Sequence, residues 1–64
     1  MKNVTARIKE NKLIMEVDLS KTIGPSHSGK TIIIGTSGGN MVLENFNFPD
    51  GSHPYVGLNV YKKA

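Results

Sequence analysis

The chain has 64 residues, no cysteine, and eight Lys/Arg against five Asp/Glu, for a formal net charge of +3. That length allows one domain, residues 1–64, and a domain of about 60 residues buries only about 60% of the surface its unfolded chain exposes. Disulfides and Cys-ligated zinc are excluded, which leaves a partner subunit as the most accessible supplement to a small core.

Periodicity along the chain points to an all-β protein. Val4, Ala6 and Ile8 alternate with Thr5, Arg7 and Lys9, and Leu13, Met15, Val17 and Leu19 alternate with Lys12, Ile14, Glu16 and Asp18. Both runs have the period of two that half-buried strands require. Between them "KENK" carries Asn11, a residue that tolerates left-handed backbone, so a tight antiparallel hairpin is expected. Residues 20–29, "SKTIGPSHSG", read as a loop. "KTIIIGTS", residues 30–37, reads as a strand, because three consecutive β-branched residues disfavour helix and suit a pleat. "SGGN", residues 37–40, is expected to turn the chain into a return strand "MVLENF", residues 41–46. "NFPDGSHP" is a second loop with a Pro-Asp-Gly turn. Residues 55–61 alternate once more, with Val56, Leu58 and Val60 on one face and Tyr55 and Tyr61 on the other.

Five short strands and no helix predict a small five-stranded antiparallel sheet, or one curled into a partly open barrel. The inner face collects Val4, Ala6, Ile8, Leu13, Met15, Val17, Val56, Leu58 and Val60. Ile14, members of Ile32–Ile34, and Val42 or Tyr61 make the second face apolar too. A strand apolar on both faces normally has cover on both. Phe46 and Phe48 could fold over one side; otherwise a second subunit is the natural lid, and a homodimer is expected on that ground.

Residues 24–31, "GPSHSGKT", match the phosphate-binding loop of nucleotide hydrolases letter for letter. That motif works only where a helix follows, so that its N-terminal amides and dipole meet the phosphates. The isoleucines after Thr31 cannot supply such a helix, and the chain is too short for the parallel α/β sheet that carries the motif. Nucleotide hydrolysis is therefore set aside. The weaker alternative is a backbone nest at Ser26, Ser28, Gly29 and Lys30 that holds an anion, weighed against a plain inter-strand turn.

The same stretch carries a resemblance. "VDLSKTIGPSHSGKTIII" and the later "GLNVYKK" resemble a widespread group of very short prokaryotic proteins with a "DLS…GPSxSGKT" segment and a C-terminal "GLNVYK". It covers residues 12–36 and 55–63; it implies the extent of the domain and carries no activity.

Other chemistry finds little support. His27 and His53 lie in polar loops without metal-site spacing, so no metal or cofactor is expected. Ser26, Ser28 and Ser37 lack a nucleophile-elbow context, and no enzyme is expected. The longest aliphatic runs, "LIM" and "III", are too short to span a bilayer. A soluble, cytoplasmic protein without membrane contact is the expectation. For function, Arg7, Lys9 and Lys12 on the outer hairpin face, beside Tyr55 and Tyr61 on a neighbouring strand, would suit single-stranded DNA or RNA, with bases stacked on the rings. The rival is a protein–protein module, a dimeric sheet in which Ile14, Ile33 and Phe48 matter more than the cations.

Overall fold

The computed structural model describes residues 1–64, all of them in strands, turns or loops and none in a helix. Seven strands form: β1 (Val4–Lys9), β2 (Lys12–Val17), β3 (Gly24–Pro25), β4 (Thr31–Thr36), β5 (Met41–Val42), β6 (Tyr55–Val56) and β7 (Asn59–Lys63). All pairings are antiparallel, and they fall into three sheets: β1–β2, β3–β4–β7 and β5–β6. The all-β expectation holds. The single five-stranded sheet or barrel does not.

The first hairpin forms where alternation places it. Val4 pairs with Val17, Ala6 with Met15 and Ile8 with Leu13 on one face, and Thr5, Arg7 and Lys9 meet Glu16, Ile14 and Lys12 on the other. Glu10 and Asn11 both take positive φ, 53° and 63°. Two left-handed residues make the tight loop whose twist matches that of the flanking strands. The second strand stops at Val17 rather than running on to Leu19. There Asp18 Oδ1 accepts from the amide and hydroxyl of Ser20 (2.9 and 2.6 Å), which bends the chain away and leaves Leu19 72% exposed.

The remaining pairings differ from the expected ones. The return strand shrinks to Met41–Val42 and pairs with β6, not with β4. β4 instead lies between β7 and β3, the latter a two-residue strand inside the expected loop 20–29. Ser37 is the reason the chain leaves the ladder. Its amide donates to the Leu58 carbonyl (2.9 Å), its Oγ accepts from the Leu58 amide (2.9 Å), and its hydroxyl also donates to the Gly39 carbonyl. These bonds extend the β4–β7 contact by one residue and bend residues 37–40 into a corner instead of a hairpin. Leu58, held there, also divides the expected strand 55–61 into β6 and β7.

The hairpin joins the three-stranded sheet at one end. Lys2 and Thr36 exchange both backbone bonds, at 2.9 and 3.0 Å. Asn3, at φ 54°, then turns the chain, and its Nδ2 donates to the carbonyls of Asp18 (2.9 Å) and Ile34 (2.8 Å). Ile34 sits at a bulge in the β4–β7 ladder. Beside it Gly35 lets the hairpin approach: a Cβ there would stand 2.8 Å from Val17 Cγ1 and 3.1 Å from Val4 Cγ2.

The core is correspondingly slight. Four residues are buried, namely Val4, Gly35, Ser37 and Leu43. Leu43 stands outside the expected inner face, whereas Leu13 of that face is 43% exposed. Ile32, Ile33 and Ile34 are all half-buried, although β4 is the central strand of its sheet. The Cα radius of gyration is 13.7 Å and the principal extents are 43 × 21 × 13 Å. A packed chain of this length has a radius of gyration of about 11 Å. The molecule is a thin, elongated arrangement of sheets.

Candidate functional site

The octapeptide 24–31 forms the turn between β3 and β4. The Ser26 amide donates to the Thr31 carbonyl and the Gly29 amide to the Ser26 carbonyl, both at 2.9 Å. The amides of Lys30 and Thr31 face the hydroxyls of Ser28 and Ser26, each at 3.4 Å. β4 begins at Thr31, so the helix that gives a phosphate-binding loop its anion affinity is not formed here. Ser26, Ser28, Gly29 and Lys30 do share one turn, and four amides of that stretch point at acceptors within it. An anion placed there would meet hydroxyls and the Lys30 ammonium in place of a converged set of free N–H groups. Register adds two cations at this end of the sheet, with Lys62 opposite Ile32 and Lys63 opposite Thr31.

The hairpin brings together Arg7, Lys9 and Lys12. Arg7 Nη1 lies 3.2 Å from Glu16 Oε1, so its charge is engaged by a neighbour across the strand pair. Lys9 and Lys12 are direct cross-strand partners at the tip, without a carboxylate in ion-pair range. Lys12 and Asn11 also line a cleft of about 130 Å³ walled by Ile8, Leu13, Phe46 and Phe48. Loop 44–54 supplies the two rings, packed edge to face at 5.3 Å and 77°. His53 Nδ1 lies 2.8 Å from the Phe46 carbonyl, and the amides of Phe48 and Gly51 close a turn on Ser52 and Phe48 (2.8 Å each). His53 is thereby half-buried and bonded rather than a free loop histidine, whereas His27 stays exposed. Phe48, which shares this cleft with Lys12, remains 44% exposed.

The tyrosines stand elsewhere. Tyr55 faces Val42 across β5–β6 and Tyr61 faces Ile33 across β4–β7, exposed by 72% and 62%. They lie in different sheets, and neither β6 nor β7 is a neighbour of the hairpin. The basic and aromatic face expected from strand parity is therefore not one sheet surface. The cleft that Lys12 shares with Phe48 does not follow from strand parity. A Phe directly before the expected Pro-Asp-Gly turn gives no sign of which strand the loop folds back on.

Two of the acidic groups, Asp18 and Asp50, serve turns. Hydrogen bonds from the Ser20 hydroxyl and then its amide hold the Asp18 carboxyl below its usual range, and Ser52 does the same for Asp50. No three His, Asp or Glu side chains come together as a metal site would require. No helix is long and apolar enough to cross a membrane. No protein-family model matches the chain, and no curated protein or solved structure matches it.

Proposed function

We propose that this chain is a non-enzymatic interaction module that does its work by docking its sheets against another polypeptide. The observation that carries this reading is the burial of only four residues in a chain whose strands are rich in β-branched and aromatic side chains. Such strands fold stably when both apolar faces are covered, and Leu13, Ile23, Met41 and Phe48 are each exposed by 38–44%. Free edges along β1, β2 and β7 add unpaired backbone groups of the kind that recruit a further strand. Placing a photo-crosslinking residue at 13, 48 or 61 in turn, in cells making the chain, should trap discrete polypeptide adducts. Irradiation that yields none at any of the three positions overturns the reading.

One observation favours a second reading, the binding of single-stranded DNA or RNA. Lys12, the cross-strand partner of Lys9 at the hairpin tip, lines one cleft with the exposed Phe48 ring, and a cation beside a ring is the combination on which unpaired bases stack. Fluorescence anisotropy with oligo-dT and RNA at low salt should show binding that weakens with added salt. Replacing Arg7, Lys9 and Lys12 by Gln should abolish that binding while leaving polypeptide adducts intact. No binding by the unmodified chain at tens of micromolar removes this second reading.

A further inference from the structure

The surface that lacks cover has a size and a shape. The chain exposes 4946 Å². A packed chain of 7.0 kDa exposes about 4,000 Å². The excess is about 900 Å², and an interface of ordinary size takes about 800 Å² from each partner. One interface per chain would account for it.

The shape comes from register. In the β3–β4–β7 sheet, Gly24 pairs with Ile33 and Ile33 with Tyr61, so the three share one row on one face. Along that row stand a bare backbone, a half-buried isoleucine and a ring that is 62% exposed. A Cβ built on Gly24 would have nothing within 4 Å, so the space above it is open. Its φ of 148° also disfavours any other residue there. A depression and a projecting ring thus flank Ile33 symmetrically, each one strand away.

From this we infer that the Ile33–Tyr61 face is a homodimer interface, docking on the same face of a second copy of the chain; the inference rests on the interaction-module reading above. A two-fold axis running along β4, midway between two facing sheets, exchanges the β3 side of one copy with the β7 side of the other. It sets each Tyr61 ring over the other copy's Gly24 and brings the two Ile33 side chains together. A self-complementary patch of this kind is what an isologous pair requires, and facing sheets pack about 10 Å apart with interdigitated side chains. Charge permits the arrangement. Lys63, one row along beside Thr31, falls opposite Ser26, whose amide donates to Thr31, and not opposite another lysine. The reverse face is the poorer candidate, because Val4 and Val17 already sit against it at Gly35.

Sedimentation equilibrium of the intact chain, from micromolar to submillimolar, tests the inference. The unmodified chain should run at twice 7.0 kDa in the upper part of that range. Tyr61→Ser should weaken association at least tenfold with an unchanged circular dichroism spectrum, since this ring is exposed within one chain, and Tyr61→Phe should restore it. A chain that stays at 7.0 kDa throughout, or a Tyr61→Ser variant that associates as tightly as the unmodified chain, overturns the inference. The crosslinking residue at position 61 separates the two levels. Adducts to a different polypeptide from a monomeric chain remove the second copy and keep the module; no adducts at positions 13, 48 and 61 remove both.

Discussion

The β1–β2 hairpin and the β3–β4–β7 sheet are built from similar side chains, yet their faces are very differently supported. In the hairpin every outward residue of β1 is polar, one face is apolar, and loop 44–54 folds Phe46 and Phe48 over Ile8 and Leu13. In the sheet the central strand carries Ile32, Ile33 and Ile34 in succession, all left half-buried, and the hairpin meets one face at Gly35. A strand that alternates can be satisfied by its own chain. A strand that does not alternate needs two layers of cover, and 64 residues without a helix provide less than one. The chain's 25 backbone hydrogen bonds fit that picture; about 45 are usual for this length.

The junction between the two regions is the most sensitive point. Gly35→Val would press a branched side chain on Val4 and Val17, β-branched residues with little rotamer freedom to yield. Overpacking of this kind costs about 1–3 kcal/mol or more. Because an isolated two-stranded hairpin is marginal in water, the expected outcome is loss of cooperative unfolding in both regions together, followed by far-UV circular dichroism. Protection of hairpin amides persisting in this variant would show that the two regions fold independently.

A smaller effect is expected at Ser37, which is 2% exposed and ties β4 to Leu58. Ser37→Ala leaves the Leu58 amide without that partner, at a cost of about 1–3 kcal/mol. The lowered midpoint in a urea titration should come with faster hydrogen exchange in β7 and little change in β1 and β2. Equal acceleration in the hairpin would erase the distinction between the regions.

The smallest effect is in acid. The carboxyls of Asp18, at the hairpin exit, and Asp50, in the loop that covers it, titrate below their ordinary value in the folded chain. A carboxyl depressed by folding contributes stability above its unfolded pKa of about 3.9, and that contribution is lost as pH falls through the lower folded value. Stability should therefore be level above about pH 5 and decline below about pH 4. Asp18→Asn should make the decline shallower, read as the thermal midpoint against pH. Both groups are exposed, so solvent screens the effect.

Much of the hairpin was legible because its partners are adjacent in sequence. Alternation on both sides of Glu10-Asn11 settles register and turn at once, and Lys9 and Lys12 follow as neighbours. The strand at Thr31–Thr36 was legible for the same local reason, as was the turn character of residues 24–31. Its neighbours were not. Met41–Val42 looked the natural partner of β4, but the Ser37–Leu58 bonds gave that place to β7. Tyr55 and Tyr61 share parity in sequence and lose it in space, since Leu58 is held between them. Phe48 shares a cleft with Lys12 only because residues 44–54 close on the hairpin tip.

What the sequence alone determined is the kind of element: strands and no helix, a left-handed two-residue turn, and an octapeptide that leads into a strand. These follow from rotamer freedom and backbone sterics, which act within a few residues. The tertiary structure decided which strand lies beside which and which apolar face is left open. Interstrand hydrogen bonds are alike for any pair of edges, so the choice fell to a buried hydroxyl at Ser37, a missing side chain at Gly35 and the reach of a loop.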